Sequence, residues 1–317
     1  MNNGQLSVRV VGIHQVAPAI REFVLEACED APTLLPFSPG SHVVVTMQDG
    51  AKKYSNPYSL LSDPNNTMQY KIAVRLQDQS RGGSVYMHKK VKVGDCLSIS
   101  APANLFAPYW RAKKHLMLAG GVGITPFLSF LPEMLRRHAK VELHYMFDGS
   151  VTGAYQTRLS DMLGDKLHCY DSNQNTRCSI ADVMAEQPLG THLYICGPES
   201  LLNRVKEVAA DIGWPQSAIH YEAFTAPAPG KAFAVTLNSG KRIDVADDES
   251  LLDALEAADV AIQSSCRGGV CGRCFTGVLQ GQVEHRDEFL SSSEKSRQDC
   301  MMPCVSRAIS DTLVLDL

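Results

Sequence analysis

The first hundred residues alternate short apolar runs with turn signals. Runs rich in β-branched residues predict strands at 6–11, 42–47, 70–75 and 96–100. Pro39-Gly40 and Asp49-Gly50 are typical of the turns that join such strands. Short strands separated by turns predict a small antiparallel β-barrel in this part of the chain.

The pattern changes near Pro108, where apolar runs begin to alternate with helical segments. Strands are predicted at 115–119, 141–147 and 192–196, and helices at 127–138, 157–163 and 199–212. Because strand and helix alternate, this part predicts an α/β domain built on a parallel sheet with crossover helices.

The Ala/Pro-rich stretch 225–231 has no apolar periodicity and is predicted to be a linker. Beyond it, the runs 233–237 and 241–245 predict a hairpin around Asn238-Ser239-Gly240, and a helix is predicted at 250–258. The sequence therefore predicts three domains, at 1–107, 108–224 and 232–317.

The composition is that of a globular protein, with 317 residues of which 44% are hydrophobic and 20% charged. A formal net charge of -4 gives no electrostatic reason to expect nucleic acid as a partner. The longest uncharged run, 116–132, is shorter than the ~20 residues of a spanning helix and contains glycines and prolines. No signal peptide is recognisable, so we expect a cytoplasmic protein without a membrane partner.

Half of the ten cysteines fall between positions 266 and 304. Cys266, Cys271 and Cys274 form a C-x4-C-x2-C pattern, and Cys304 follows after 29 residues. This is the plant-type spacing of a [2Fe–2S] cluster held by four thiolates. A zinc site is the main alternative, but structural zinc usually pairs two C-x2-C knuckles, and only one is present here. Buried structural cysteines are the remaining alternative.

The cysteine segment resembles the plant-type ferredoxins in its spacing, its preceding helix and the context Pro303-Cys304-Val305-Ser306-Arg307. The resemblance implies a C-terminal β-grasp ferredoxin domain whose fourth ligand is Cys304, with the competing Cys300 serving in packing. Arg267 and Arg273 flank the ligands and could meet carboxylates of a docking partner.

A glycine-rich segment, Gly120-Gly121-Val122-Gly123-Ile124-Thr125-Pro126, lies between a predicted strand and a predicted helix. Such a turn presents backbone N–H groups and a helix N-terminus to a phosphate. The segment lacks the G-x-x-x-x-G-K-[ST] pattern of an ATPase and departs from the G-x-G-x-x-G fingerprint. A second turn of this kind, Tyr194-Ile195-Cys196-Gly197-Pro198, follows about seventy residues later.

The two turns resemble the nicotinamide-binding domain of the ferredoxin-reductase superfamily. The resemblance implies nucleotide contacts at Gly120, Gly121, Gly123, Thr125, Cys196, Gly197 and Pro198, with Cys196 beside the nicotinamide ring. Asp148 follows the second strand of this domain, where a carboxylate can accept hydrogen bonds from the ribose and would repel a 2′-phosphate. No arginine occurs at that turn, so NADH is favoured over NADPH. A plain turn residue is the alternative interpretation of Asp148.

The segment Asn56-Pro57-Tyr58-Ser59-Leu60 resembles the Arg-x-Tyr-Ser motif of flavin reductases in that superfamily. The resemblance implies that Tyr58 packs on a flavin and that Ser59 reaches toward flavin N5. Asn56 replaces the arginine of the motif, which weakens that phosphate contact.

Arg81-Gly82-Gly83-Ser84 precedes a predicted helix at 85–89 and suits a terminal phosphate dianion. This favours FMN over FAD. In the relatives a terminal aromatic lies near the flavin, which makes Phe224 a candidate, with core packing as its alternative.

The order of flavin, nicotinamide and ferredoxin segments resembles the phthalate dioxygenase reductase family. NADH delivers two electrons as a hydride and a [2Fe–2S] cluster accepts one, so a flavin is needed between them. The resemblance implies a reductase component that serves a Rieske-type oxygenase. The segment 54–59 also resembles reductases of oxygenases that act on carnitine and other alkylamines.

Two alternatives belong to other classes. An NADH:acceptor reductase would reduce ferric chelates or free flavin directly, but it needs no C-terminal cluster. A non-catalytic iron–sulfur or nucleotide-binding protein would not oxidise NADH when loaded with its cofactors.

Overall fold

The computed structural model describes residues 5–28, 33–50, 52–77, 80, 82–224 and 229–317. By its internal contacts the chain divides into two compact units, one of Met1–Val45 with Tyr58–Phe224 and one of Thr46–Pro57 with Thr225–Leu317. The predicted boundary at 107/108 falls inside the first unit and stays a prediction. Within the described residues, no helix is both long and apolar enough to span a bilayer.

The N-terminal part is a seven-stranded sheet in which the neighbouring strands that we describe pair antiparallel. Its order is β4-β3-β6-β1-β2-β5, and β7 pairs with β3. The elements are β1 (Gln5–Ala17), β2 (Ile20–Ala27), β3 (Ser41–Asp49), β4 (Lys52–Ser59), β5 (Tyr70–Arg75), α1 (Gly83–Lys89), β6 (Cys96–Ser100) and β7 (Ala103–Asn104).

The sequence predicts β5 and β6 with the bounds that they have, but it misses β2 and β4. Five of the eight residues of β2 are buried, and four of them are consecutive, from Glu22 to Leu25. A strand buried on both faces has no period-two alternation, and alternation is the signal that sequence reasoning uses.

The middle of the chain forms a five-stranded parallel sheet of order β10-β9-β8-β11-β12. Its elements are β8 (Lys114–Gly120), α2 (Thr125–Arg136), β9 (Val141–Phe147), α3 (Gln156–Leu163), β10 (Leu167–Asp171), α4 (Ile180–Ala185), β11 (Thr191–Gly197), α5 (Glu199–Asp211) and β12 (Ile219–Ala223). The chain winds outward from β8 to β10 on one side and through β11 to β12 on the other. The strand order therefore reverses between β8 and β11, where open α/β sheets bind ligands beyond the carboxyl ends of the strands.

The C-terminal part has a mixed five-stranded sheet of order β14-β13-β19-β15-β17 and a small β16-β18 pair. Its elements are β13 (Phe233–Leu237), β14 (Arg242–Val245), α6 (Leu251–Ala257), β15 (Thr276–Gln280), β16 (Val283–Glu284), α7 (Ser292–Arg297), β17 (Cys300–Met301), β18 (Arg307–Ala308) and β19 (Thr312–Leu315). The predicted hairpin is present as the antiparallel pair β13–β14. Ser250 caps α6 by accepting a hydrogen bond from the Asp253 N–H group, which explains where the predicted helix begins.

Candidate functional site

The two glycine-containing turns of the parallel sheet pack against each other where the strand order reverses. A Cβ atom added to Gly123 would lie 2.1 Å from the carbonyl oxygen of Cys196, and one added to Gly120 would lie 2.7 Å from Cδ of Pro198. Both distances are far below a van der Waals contact, so the turns can meet only because these positions are glycines.

Helix α2 begins directly beyond the first turn. The chain passes from β8 through a 3₁₀ turn, Gly121–Ile124, into α2 at Thr125. The Thr125 hydroxyl donates to the Val122 carbonyl oxygen at 2.9 Å and is buried. Backbone N–H groups at the start of this 12-residue helix therefore face the carboxyl end of the sheet, which is an arrangement suited to a phosphate.

Ser59, Glu222 and Cys196 come together at the same end of the sheet. The Ser59 hydroxyl is buried and donates to Oε2 of Glu222 at 3.4 Å. Glu222 on β12 is the register partner of Cys196 on β11. Sequence analysis missed Glu222, because the short strand β12 that places it was not predicted.

The Cys196 side chain at this site is an uncharged thiol. Burial, and after it the neighbouring Glu222 carboxylate, raises the pKa of Cys196 well above its ordinary value. A neutral thiol, a hydroxyl donor and a carboxylate thus lie together beside the glycine turns, where they can orient a ligand and hold a proton.

Asp148 follows β9, at the neighbouring strand end. Its Oδ1 accepts hydrogen bonds from the Ser150 hydroxyl at 2.6 Å and from Nδ2 of Asn173 at 2.6 Å. The Ser150 hydrogen bond, followed by that of Asn173, lowers the pKa of Asp148, and the positive charge of Arg75 contributes in the same direction. The turn itself contains no arginine, but the fold brings Arg75 from β5 into its electrostatic reach.

The flavin-motif residues Asn56, Tyr58 and Ser59 lie on β4, with the first two half-buried. Arg81, the basic residue of the predicted phosphate segment, lies outside the described residues. Ser84 stands in the first turn of α1 and donates to the Ser80 hydroxyl at 2.9 Å.

Gly82 and Gly83 lie at the beginning of α1. Gly82 caps the helix with a φ of 124°, and Gly83 is its first residue. Phe224, at the end of the first unit, packs against that unit's apolar core. This contact fits the packing interpretation of Phe224.

The structure brings the four predicted cluster ligands together. Sγ of Cys274 lies 3.3 Å from Sγ of Cys304, and Cys266 is hydrogen-bonded to Cys271. Cys300 lies instead opposite Gly277, in the pairing of β17 with β15. The geometry therefore selects Cys304 over Cys300 as the fourth member of the group.

Backbone N–H groups point at the cysteine sulfurs. The Gly268 N–H group donates to Sγ of Cys266 at 3.4 Å. The hydrogen bond with Cys271, aided by backbone N–H groups that include those of Gly268 and Val270, lowers the pKa of Cys266 to about 5. Four clustered thiols surrounded by amide donors suit thiolate ligands, so the donor set fits an iron–sulfur cluster.

The cysteine loop is shaped by its own glycines and by an ion pair. Gly272 has a φ of +71°, and a Cβ atom there would lie 2.3 Å from Cζ of Phe289. Arg267 is buried and reaches Asp253 Oδ1 at 2.6 Å and Glu256 Oε1 at 2.8 Å, both on α6. The docking role predicted for Arg267 is therefore wrong, because its guanidinium anchors the loop to α6. The docking role of Arg273 stays a prediction.

Asp287 is a second residue that sequence analysis missed. Its carboxylate is buried, and it accepts hydrogen bonds from the Leu290 N–H group at 2.9 Å and from the Ser306 hydroxyl at 3.2 Å. The next residue, Glu288, donates its N–H to the Gly269 carbonyl oxygen at 3.1 Å. This segment thus joins the cysteine loop to the turn that carries Cys304.

Two family models match separate parts of the chain. Residues 101–219 match the N-terminal domain of dimethylamine monooxygenase subunit DmmA-like proteins. Residues 235–308 match the 2Fe-2S iron-sulfur cluster binding domain. The second match covers all four clustered cysteines, which confirms the predicted [2Fe–2S] domain and removes the zinc alternative.

Curated relatives match nearly the whole chain. The heme-dependent oxidative N-demethylase beta subunit of Ectopseudomonas mendocina is 50% identical over 98% of this chain and 99% of its own. The carnitine monooxygenase reductase subunit of Escherichia coli is 41% identical over 98% of both chains. The vanillate O-demethylase oxidoreductase of Acinetobacter baylyi is 34% identical over 98% of this chain and 99% of its own.

Among solved structures, phthalate dioxygenase reductase superposes with a TM-score of 0.85 at 31% identity, over 99% of this chain and 98% of that one. That protein is described as a modular structure for electron transfer from pyridine nucleotides to [2Fe–2S]. The comparisons confirm the predicted multidomain fold, the oxidoreductase class and the 2Fe-2S domain. These relatives are named as a demethylase subunit, a monooxygenase reductase subunit and a demethylase oxidoreductase.

Proposed function

The chain belongs to the family of reductase subunits that serve oxygenases, and we propose that it transfers electrons from NADH through FMN and a [2Fe–2S] cluster to an oxygenase acting on an alkylamine. The observation that carries the proposal is the convergence of Ser59, Glu222 and Cys196 beside the two glycine turns. A residue of the flavin motif and a residue of the nicotinamide motif thus meet at one strand end, as hydride transfer requires.

The flavin, when bound, accepts a hydride and releases its electrons singly. On this chain, we assign Ser59 to orient the flavin through its hydroxyl and Tyr58 to pack against the ring. We assign binding of the flavin phosphate to Gly82, Gly83 and Ser84 at the start of α1, together with Arg81. Asn56 provides a polar side chain without charge where the motif has an arginine.

The nucleotide is assigned to the strand ends of the parallel sheet. Gly120, Gly121, Gly123 and Thr125 offer backbone N–H groups to its phosphates, and Gly197 and Pro198 form the opposing turn. Asp148 is assigned to the adenosine ribose, which favours NADH over NADPH because a second negative charge would lie beside its carboxylate.

Glu222 and Cys196 control the surroundings of the reacting atoms. Glu222 accepts the Ser59 hydrogen bond and thereby holds that hydroxyl in one orientation. Cys196, buried and uncharged, presents a compact neutral surface to the nicotinamide without adding a negative charge. Glu222 is assigned as a positioning group, and Ser59 and Cys196 are assigned as the catalytic residues that touch the flavin and the nicotinamide, respectively.

Cys266, Cys271, Cys274 and Cys304 are assigned as the cluster ligands. The partner that receives the electrons is proposed to be a heme-dependent N-demethylating oxygenase. Its support is the relative at 50% identity, a subunit of a heme-dependent oxidative N-demethylase, together with the dimethylamine monooxygenase family model. The Rieske-type oxygenase predicted from the sequence is the alternative partner. We place the protein in the cytoplasm, because half of its ten cysteines crowd into the cluster segment, and clustered cysteines of this kind are typical of metal or redox sites in a reducing compartment.

An anaerobic NADH titration, followed by visible absorbance and low-temperature EPR, tests the electron path. We expect bleaching of a flavin band together with a rhombic signal from the reduced [2Fe–2S] centre. Flavin bleaching without a cluster signal in iron-replete protein would instead favour the direct NADH:acceptor reductase.

The partner is tested by adding either a heme-dependent N-demethylase component or a Rieske-type oxygenase to the reductase with a methylated amine. We expect NADH consumption coupled to formaldehyde release with the heme-dependent component. Coupled turnover with the Rieske-type component alone would overturn the choice of partner and leave the electron path intact.

A further inference from the structure

Two thiols outside the cluster meet in the N-terminal sheet. Cys28 and Cys96 are 68 positions apart in the sequence, and their sulfurs lie 3.5 Å apart. We propose that these two cysteines are a redox modification site that closes to an intrachain disulfide when the protein meets hydrogen peroxide.

The strand pairing explains why the two residues meet. Cys28 directly follows β2 and donates its N–H to the Ser7 carbonyl oxygen at 3.2 Å, on one side of β1. Cys96 begins β6 and pairs with Arg9, on the other side of β1. Residues 7 and 9 of one strand point to the same face. Both cysteines therefore project from one face of the sheet and lean together over β1.

The sulfurs are close and accessible, but the two residues flank β1, so their Cα atoms lie about two strand spacings (~9.5 Å) apart and closure of a disulfide requires the backbone to move. A disulfide bond is ~2.05 Å long, so the two sulfurs must approach by about 1.5 Å in total. Cys28 lies beyond the last residue of its strand, so its backbone is paired on one side and can shift. Cys96 is exposed and Cys28 is half-buried, so peroxide can reach the pair. The other close thiol pairs, Cys266–Cys271 and Cys274–Cys304, belong to the cluster.

The chemistry balances with peroxide as the two-electron oxidant. One thiolate attacks the peroxide O–O bond and becomes a sulfenic acid, with hydroxide as the leaving group. The second thiol then attacks that sulfur, the S–S bond forms, and the sulfenic oxygen leaves as water after taking the remaining proton. In total, two thiols and one hydrogen peroxide give one disulfide and two waters. A dithiol reductant reverses the change by thiol–disulfide exchange.

The reaction is expected to depend on pH. The hydrogen bond with Cys28 is the main cause of a raised pKa at Cys96, followed by desolvation and the charge on Cys28; the Asp95 carboxylate acts in the same direction and the Arg9 guanidinium in the opposite one. Because the thiolate is the reactive form, closure should accelerate between pH 7 and pH 9.

Peptide mapping of the cofactor-loaded full chain tests the proposal. The protein is treated with hydrogen peroxide, alkylated without reduction and digested with trypsin. Cys28 and Cys96 are the single cysteines of the tryptic segments 22–52 and 93–111. We expect these segments to be joined, with a mass two hydrogens below their sum, and to separate again after dithiothreitol.

Three variants distinguish disulfide formation by the Cys28–Cys96 pair from general oxidation of exposed thiols. Cys28→Ser and Cys96→Ser should each abolish the joined segment and leave the other cysteine as a singly oxidised or adducted thiol. Cys169→Ser removes an exposed cysteine on β10 and should leave the joined segment unchanged. The proposal is overturned if Cys169 is oxidised while Cys28 and Cys96 stay reduced. It is also overturned if the joined segments occur only in a covalent dimer on a non-reducing gel.

Discussion

The cysteine loop and the site at the strand ends, formed by Ser59, Glu222 and Cys196 and called the strand-end site below, are assembled in different ways. Three of the four cysteines assigned as cluster ligands, Cys266, Cys271 and Cys274, come from a single loop, and the loop is shaped by local glycines. The strand-end site brings together Ser59 and Glu222, which are 163 positions apart. Glu222 is in turn the register partner of Cys196. Spacing along the chain therefore suffices to recognise the first site, whereas only the packing of two sheets creates the second.

Glycine has a different task in each region. Gly272 adopts a φ of +71° so that the cysteine loop can turn back under the ring of Phe289. Gly123 does not have a left-handed backbone, and its task is to let one turn touch the carbonyl group of Cys196 on another strand. The first glycine serves a local conformation and the second serves a tertiary contact.

The largest effect should come from Cys271→Ser, which removes a ligand from the local site. We expect delivery to a one-electron acceptor such as cytochrome c to be abolished, since the cluster loses one of its thiolates. Anaerobic reduction of the flavin by NADH in a stopped-flow experiment should stay within about twofold of the wild type. Cys300→Ser is the matched control and should keep the EPR signal. Equal loss of both activities in Cys271→Ser would show that the two sites do not work separately.

A large effect is also expected from Gly123→Ala, which disrupts the contact between the two glycine turns. The new methyl group meets the Cys196 carbonyl oxygen at 2.1 Å, so the two turns must move apart. Overpacking of this kind costs about 1–3 kcal/mol, and kcat/KM for NADH should fall by roughly 10- to 100-fold. The cluster EPR signal after dithionite reduction should be unchanged, and a variant with normal NADH kinetics would refute the importance of the contact.

A moderate effect is expected from Ser59→Ala, which removes the hydroxyl that joins the two motifs. The rate of flavin reduction by NADH should fall by roughly 10-fold, about the value of one hydrogen bond. Ser59→Thr keeps a hydroxyl and should recover part of the rate. If flavin loading falls in Ser59→Ala but the hydride rate of the loaded fraction does not, Ser59 acts in binding alone.

The smallest effect is expected from Asp148→Ala, at the edge of the strand-end site. Removing the carboxylate should raise kcat/KM for NADPH relative to NADH by a few fold, because Arg75 then faces the 2′-phosphate without a nearby negative charge. The double variant Asp148→Ala with Arg75→Ala should lose that gain. An unchanged ratio in both variants would assign Asp148 to the turn alone.

Much of the fold could be predicted from hydrophobic pattern and turn chemistry. Strands β5, β6, β9 and β13 have the bounds that the sequence predicts. The missed strand β10 is a short edge strand with mixed exposure, and β12 has only five residues. Neither offers an alternating or a long apolar run, and their pairing with neighbours decides their conformation.

The sequence alone determined which four cysteines form a group and where the two glycine turns lie, because each is marked by short motifs in the chain. Only the tertiary structure decided that Glu222 receives the Ser59 hydroxyl, that Arg267 is an internal anchor, and that Cys28 meets Cys96. These contacts depend on strand order and register, which bring together residues that no local spacing connects.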